Sequence, residues 1–297
     1  MTSLRARLLN FAMRHTIKRQ LAKCRTPEDV RKVFNATRAF APRGVAYTQA
    51  ALDGAPGEWV EAKAGQAKGS LLYLHGGGYI GMSPRTHRAI TAAFAQRGLR
   101  VFAADYRLAP EHVFPAALED ARRAWIAMRT AVEGPAYVAG DSAGGGLTLA
   151  LLLDLRDRNL TLPDAACVFS PWTDLAGTGA SLKANAERDP LLISEGLELI
   201  PAAYAGAENL RNPLVSPLYG DYAGLPPIYF SVGDTEILLD DSLRAAARAK
   251  EAGVRVQLAV APDMPHVFVF ANRWTPEARR AMDEASGFLH AARAADA

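Results

Sequence analysis

Cysteine is nearly absent: Cys24 and Cys167 are the two in 297 residues, and they have no paired spacing. That leaves no disulfide framework and no zinc site of the usual kind to expect. Cys167 lies in an apolar, strand-like run and reads as a small core residue. Long apolar runs are missing too. No stretch of about 18 apolar residues occurs, so no membrane span and no stable membrane insertion are expected. The first residues, "MTSLRARLLNFAMRHTIKRQLAK", are basic but lack the unbroken apolar run of a signal peptide. A cytoplasmic location is the default expectation. Charge of one sign is scarce: the net charge is +3, and no basic stripe interleaves with aromatics, which speaks against a nucleic-acid partner. There is no internal repeat, no low-complexity tract and no G-x-x-x-x-G-K-[ST] phosphate loop. What remains is ordinary globular composition, 49% hydrophobic and 22% charged, in a chain long enough to bury a large core.

Two helical stretches are predicted at about 3–23 and 27–40. In the first, Leu4, Leu8, Phe11, Ile17 and Leu21 recur at roughly helical spacing. This face is expected to pack on the protein itself, with a membrane-surface helix as the alternative. Residues 44–63 read as strands around the turn "DGAPG" at 53–57. Apolar runs at 70–75, 100–105, 136–140, 165–170, 228–232 and 256–261 then alternate with helical patterns at about 86–97, 116–131, 144–158 and 240–252. A last helix is expected from 276 to 293, with Pro276 near its start. Such alternation predicts an α/β fold with a mostly parallel sheet covered on both faces. Ligands in such sheets sit beyond the carboxyl ends of the strands. Residues 176–224 break the rhythm, with helical pieces and no convincing strand. They read as an insertion over that edge, forming a lid with the N-terminal helices.

The strand ends carry the chemistry. Gly140-Asp141-Ser142-Ala143-Gly144 matches G-x-S-x-G, a sharp strand-to-helix turn that presents a serine. Ser142 then stands at a helix N-terminus, where N–H groups and the dipole favour negative charge. "HGGGY" at 75–79 ends an earlier strand. Acyl transfer through serine makes a tetrahedral oxyanion that needs preplaced N–H donors, each worth about 3 kcal/mol. Gly77 and Gly78, with Ala143 after the serine, are the candidate donors, and His75 is expected to order the loop. In α/β-hydrolases the order is serine, acid, histidine. His266, in the loop "APDMPHVF", is the candidate base; His290 lies inside the last helix. For the acid, Asp234 and Glu236 both follow the strand at 228–232, and spacing does not separate them. Asp240 and Asp241 read as the acidic start of a helix.

The combination resembles the hormone-sensitive-lipase-like esterases, the bacterial family IV carboxylesterases. The matching stretches are "HGGGY" (75–79), "DYRLAPEH" (105–112), "GDSAGG" (140–145), "SPWTDL" (170–175), "SPL" (216–218) and "MPHVF" (264–268). The resemblance implies an α/β-hydrolase fold with a helical cap: residues 1–45 contribute to the cap, and 46–297 form the catalytic domain with 176–224 as the cap insertion. It implies Ser142 as nucleophile, His266 as base, Gly77, Gly78 and Ala143 as oxyanion donors, and no metal or other cofactor. The family's pattern "PP", strand, "DPLRDEG", counted from Pro226-Pro227, puts the acid on Glu236, a glutamate where aspartate is usual. Asp105, Arg107 and Glu111 are expected to brace the oxyanion loop, and Asp141 is assigned no chemistry. The implied reaction is hydrolysis of a small-molecule ester with a short or medium acyl chain. A metabolite deacetylase or amidase, a peptidase and a non-catalytic small-molecule receptor are the alternatives. A homodimer is compatible with the sequence. Trp172, Tyr204 and Phe268 are candidates for the pocket lining.

Overall fold

The structure, a computed structural model, describes residues 2–36 and 40–292. Eight strands form one sheet: β1 (Val45–Leu52), β2 (Ala55–Ala62), β3 (Ser70–Leu74), β4 (Arg100–Ala104), β5 (Ala136–Asp141), β6 (Ala165–Phe169), β7 (Ile228–Gly233) and β8 (Val256–Ala261). Their spatial order is β1-β2-β4-β3-β5-β6-β7-β8. β2 is antiparallel to both its neighbours, and every other pairing is parallel. Strands β3, β5, β6 and β7 are buried along their whole length, as expected of parallel strands covered on both faces. The β1–β2 turn is tighter than the five residues expected. Asp53 and Gly54 alone make it, both at positive φ, the geometry that an Asp-Gly pair favours in a two-residue hairpin.

Side chains alternate across the sheet and so build two cores. Leu72, Phe102, Val138, Val168 and Phe230 face one way, against α5 (Ala116–Ala131), α6 (Ser142–Asp157) and α10 (Leu239–Glu251). Leu71, Val101, Tyr137, Cys167 and Tyr229 face the other, against α4 (Arg88–Ala95) and α11 (Pro276–Ala292). Cys167 is thus a core residue.

Three helices precede the sheet: α1 (Leu4–His15), α2 (Ile17–Leu21) and α3 (Pro27–Asn35). The single helix expected over 3–23 is broken at Thr16, whose hydroxyl donates back to the Ala12 carbonyl at 2.7 Å. Such back-bonding bends helices. The second stretch stops at Asn35, and residues 37–39, expected to be helical, lie outside the described residues. Residues 176–224 contain only short helices, α7 (Ser181–Ala184), α8 (Ser194–Glu198), α9 (Pro201–Ala205) and one 3-10 turn (Pro217–Tyr219), with no strand. The two segments meet. Arg14 donates to the Glu187 and Arg188 carbonyls, and Lys18 Nζ to those of Ala186 and Asp189.

Candidate active site

Strand β5 runs into α6 with no connecting residue. The turn forces Ser142 to φ 52°, a left-handed conformation that a non-glycine residue adopts only when its surroundings impose it. A Cβ on Gly144 would strike the carbonyl oxygens of Leu74 and His75, and one on Gly140 would strike that of Gly144. Glycine is therefore required on both sides of the serine, chiefly to clear backbone rather than neighbouring side chains.

Three strand ends then converge. His266 sits in the loop after β8, with its Nε2 2.9 Å from Ser142 Oγ. Its Nδ1 lies 2.7 Å from Glu236 Oε2, in the loop after β7. With the Nδ1 proton donated to Glu236, Nε2 is free to accept from the serine hydroxyl. Glu236 Oε1 accepts from Gly233 N–H at 2.5 Å and from Ser170 Oγ at 2.7 Å. The same Ser170 oxygen accepts from Val267 N–H at 3.1 Å, so one hydroxyl joins the loops of Glu236 and His266. Asp234 is placed elsewhere. It is half-buried, accepts from Asp263 N–H, and its carboxylate lies 3.5 Å from Arg188. Burial opposes protonation of His266, but the hydrogen bond and charge of Glu236 outweigh it and raise its pKa above the ordinary 6.5.

Gly77 and Gly78, at φ 115° and 65°, line the same cavity as Ser142. Ala143 is buried in the first turn of α6. The loop is held from beneath. His75 is buried and stacked on Tyr106, with centroids 4.3 Å apart. Burial, with His87 adding to it, pushes its pKa down to about 3, so it is a neutral spacer at working pH. Tyr106 Oη donates to the His75 carbonyl at 2.6 Å. The buried Asp141 carboxylate accepts from Tyr73 Oη at 2.5 Å and Gly76 N–H at 3.2 Å, and lies 3.3 Å from His87 Nε2. Burial pushes its pKa up, yet the favourable contacts with His87 and Tyr73 prevail and lower it.

The expected brace is therefore redistributed. Arg107 ties to Asp120 and Glu119 on α5, and Asp105 is exposed. Of that trio only Glu111 reaches the loop, through Arg31 of α3, which it holds at 2.6 Å while Arg31 donates to the Ile80 and Ala109 carbonyls. Asp141, assigned no chemistry from sequence, anchors the loop from a buried position. The sequence reading also missed His87, Arg31 and Asp189. Asp189 accepts from the N–H groups of Leu191, Leu192 and Ile237, joining the 176–224 segment to the Glu236 loop. Ser170 opens the "SPWTDL" stretch and could have been found there.

The cavity above Ser142 holds about 220 Å³ and is walled mainly by apolar side chains. Met13, Ile17, Val33 and Phe34 come from the N-terminal helices; Leu191, Leu192, Leu197 and Ile200 come from the 176–224 segment. Trp172 lines it as expected. Tyr204 does not: it stacks on Tyr79 at 3.7 Å. Phe268 belongs to the core under the sheet, and Phe270 takes its place in the wall. Among the described residues no group of three or more His, Cys, Asp or Glu side chains is arranged to hold a metal ion.

The chain is similar to known proteins. A family profile described as alpha/beta hydrolase fold matches residues 71–270. An acetyl-hydrolase of Streptomyces hygroscopicus is 42% identical over 238 residues, 79% of each protein. An esterase of Acinetobacter venetianus is 36% identical over 242 residues, 80% of this chain and 79% of its own. The crystal structure of EstE5 superposes with a TM-score of 0.93 at 34% identity, covering 98% of this chain and 99% of that one. An esterase from the bacterial hormone-sensitive lipase family superposes at 0.89 with 37% identity, covering 97% and 98%. The chain belongs to the hormone-sensitive-lipase-like esterases of the α/β-hydrolase fold and is a carboxylic ester hydrolase.

Proposed function

We propose that the chain is a serine carboxylesterase in which Ser142 is the nucleophile, His266 the general base and Glu236 the orienting acid. The observation that supports this most is the continuous chain Ser142–His266–Glu236, at 2.9 and 2.7 Å, opening into an apolar cavity. His266 takes the Ser142 proton as Oγ attacks the ester carbonyl. The N–H groups of Gly77, Gly78 and Ala143 receive the oxyanion. Glu236 fixes the imidazole tautomer and stabilises the imidazolium. His266 then returns the proton to the departing alcohol. Water, deprotonated by the same ring, attacks the acyl-enzyme, and the ring passes that proton to Ser142 Oγ as the carboxylic acid leaves.

The substrates are short- to medium-chain acyl esters, for which a cavity of about 220 Å³ with apolar walls is suited. Residues 1–45 and 176–224 act together as its cap. Removal of acetyl from a metabolite is the second reading, favoured by the likeness to an acetyl-hydrolase. The test is turnover of p-nitrophenyl esters from acetate to palmitate and of matched anilides, with fluorophosphonate labelling read by peptide mass. Rapid turnover of the short esters with label on Ser142 supports the proposal. Label on another residue, or anilides outrunning esters, contradicts it.

A further inference from the structure

Helix α1 has two apolar faces. Ala6, Leu9, Met13 and, after the break, Ile17 turn inward, and Met13 and Ile17 reach the cavity wall. On the opposite side Leu4, Leu8 and Phe11 stay 72%, 51% and 63% exposed. Their i, i+4, i+7 spacing puts them in one line along the helix, continued by His15, whose ring lies 4.1 Å from that of Phe11. Arg5 flanks the line on one side, Arg7 and Arg14 on the other. Arg5 donates to the carbonyl of Trp274, another exposed ring. Single exposed apolar residues need no explanation, but an aligned strip of them beside aromatics does.

The charge distribution says what fits this strip. The first 27 residues hold seven of the 34 Lys and Arg side chains and none of the 31 Asp and Glu. The remainder has 27 basic against 31 acidic side chains, so the molecule's positive excess sits wholly in this segment. The two carboxylates in contact with the start of α1, Glu277 and Asp263, are already engaged by Ser3 and Thr2. An apolar line edged by arginines, with aromatic rings at its border, is the pattern of a helix lying in the plane of an anionic bilayer.

We propose that α1 docks the protein on an anionic lipid surface, with Leu4, Leu8 and Phe11 as anchors and Arg5 and Arg7 as headgroup contacts. Because the other side of the same helix walls the cavity, docking places the substrate chamber about one helix diameter, roughly 10 Å, from the lipid. What the surface would deliver rests on the esterase reading, but the docking itself does not.

The test is co-sedimentation of the full chain with vesicles of phosphatidylglycerol and phosphatidylcholine, or of phosphatidylcholine alone, at low and high salt. Wild type is expected to partition onto the anionic vesicles and to lose at least about tenfold in partitioning on neutral vesicles or in high salt. The double variant Leu8→Glu/Phe11→Glu is expected to lose at least about tenfold on anionic vesicles, and Arg7→Glu severalfold. Turnover of a soluble p-nitrophenyl ester should be unchanged in both, which also reports that they fold. Should the double variant lose that turnover, Arg7→Glu and the milder Leu8→Ser/Phe11→Ser decide. Three results overturn the proposal: no binding to anionic vesicles at low salt, binding kept by the folded variants, or a wild-type dimer that the substitutions split, which would assign the strip to a second copy. Failure of ester turnover in wild type would instead count against the esterase reading.

Discussion

The floor and the roof of the cavity are built from different forces. The floor is the set of loops at the carboxyl ends of β3, β5, β6, β7 and β8. Its side chains are joined by buried, charge-assisted hydrogen bonds: Glu236 to His266, Gly233 and Ser170, and Asp141 to Tyr73 and Gly76. The roof is α1–α3 with residues 176–224. It contacts the cavity through Met13, Ile17, Val33, Phe34, Leu197 and Ile200, and its parts are tied by Arg14 and Lys18 to backbone carbonyls. Charge-assisted bonds are directional and are lost steeply when misplaced. Apolar contacts are non-directional and tolerate repacking. On the proposed reading, the reaction belongs to the floor and the choice of substrate to the roof. Asp189 is one of the links between them, since one carboxylate bonds to both.

Substitutions on the floor should strike kcat and those on the roof should reorder substrates. The largest expected effect is that of Ser142→Ala, a loss of about 10⁶-fold in kcat, read from p-nitrophenyl butyrate turnover. Ser170→Ala removes the hydroxyl shared by the two loops. It should lower kcat about tenfold with KM little changed, because a bond to a charged group is worth about 1.5–3 kcal/mol. A rise in KM alone would return Ser170 to a purely structural role. Ile17→Trp on the roof should cut octanoate turnover relative to acetate by about tenfold, as pocket volume discriminates by chain length. Equal loss on both esters would break the division between floor and roof. The smallest effect is in pH. The pKa of His266 is raised above 6.5, and the base works only when neutral. Activity should therefore be full on the alkaline side and fall as pH drops through a midpoint above 6.5. Glu236→Gln removes the charge that holds the midpoint up and should shift it down, measurable in residual kcat/KM.

The floor was legible in sequence where chemistry and local geometry coincide. Ser142 is framed by glycines that the turn demands, and His266 and the glycine loop each end a readable strand. The acid was not separable by spacing. Asp234 and Glu236 are two residues apart on one turn, and their directions are set by Gly233 N–H and Ser170 on one side and Arg188 on the other. Partners distant in sequence left no mark: His87 on Asp141, Arg31 on the Ile80 carbonyl, Asp189 on Ile237. Arg107 was expected to brace the loop, but α5 supplies the carboxylates with which it pairs. The roof was legible as an insertion but not in detail, because short helices carry too few turns for a periodic signal.

The most direct test of the account compares kcat/KM for p-nitrophenyl butyrate in wild type, Glu236→Gln and Asp234→Asn, with folding checked by thermal unfolding. The account predicts a loss of about 10⁴-fold for Glu236→Gln, which strands the imidazole in the wrong tautomer, and near-wild-type turnover for Asp234→Asn. A folded Asp234→Asn variant that is crippled while Glu236→Gln stays active would contradict it.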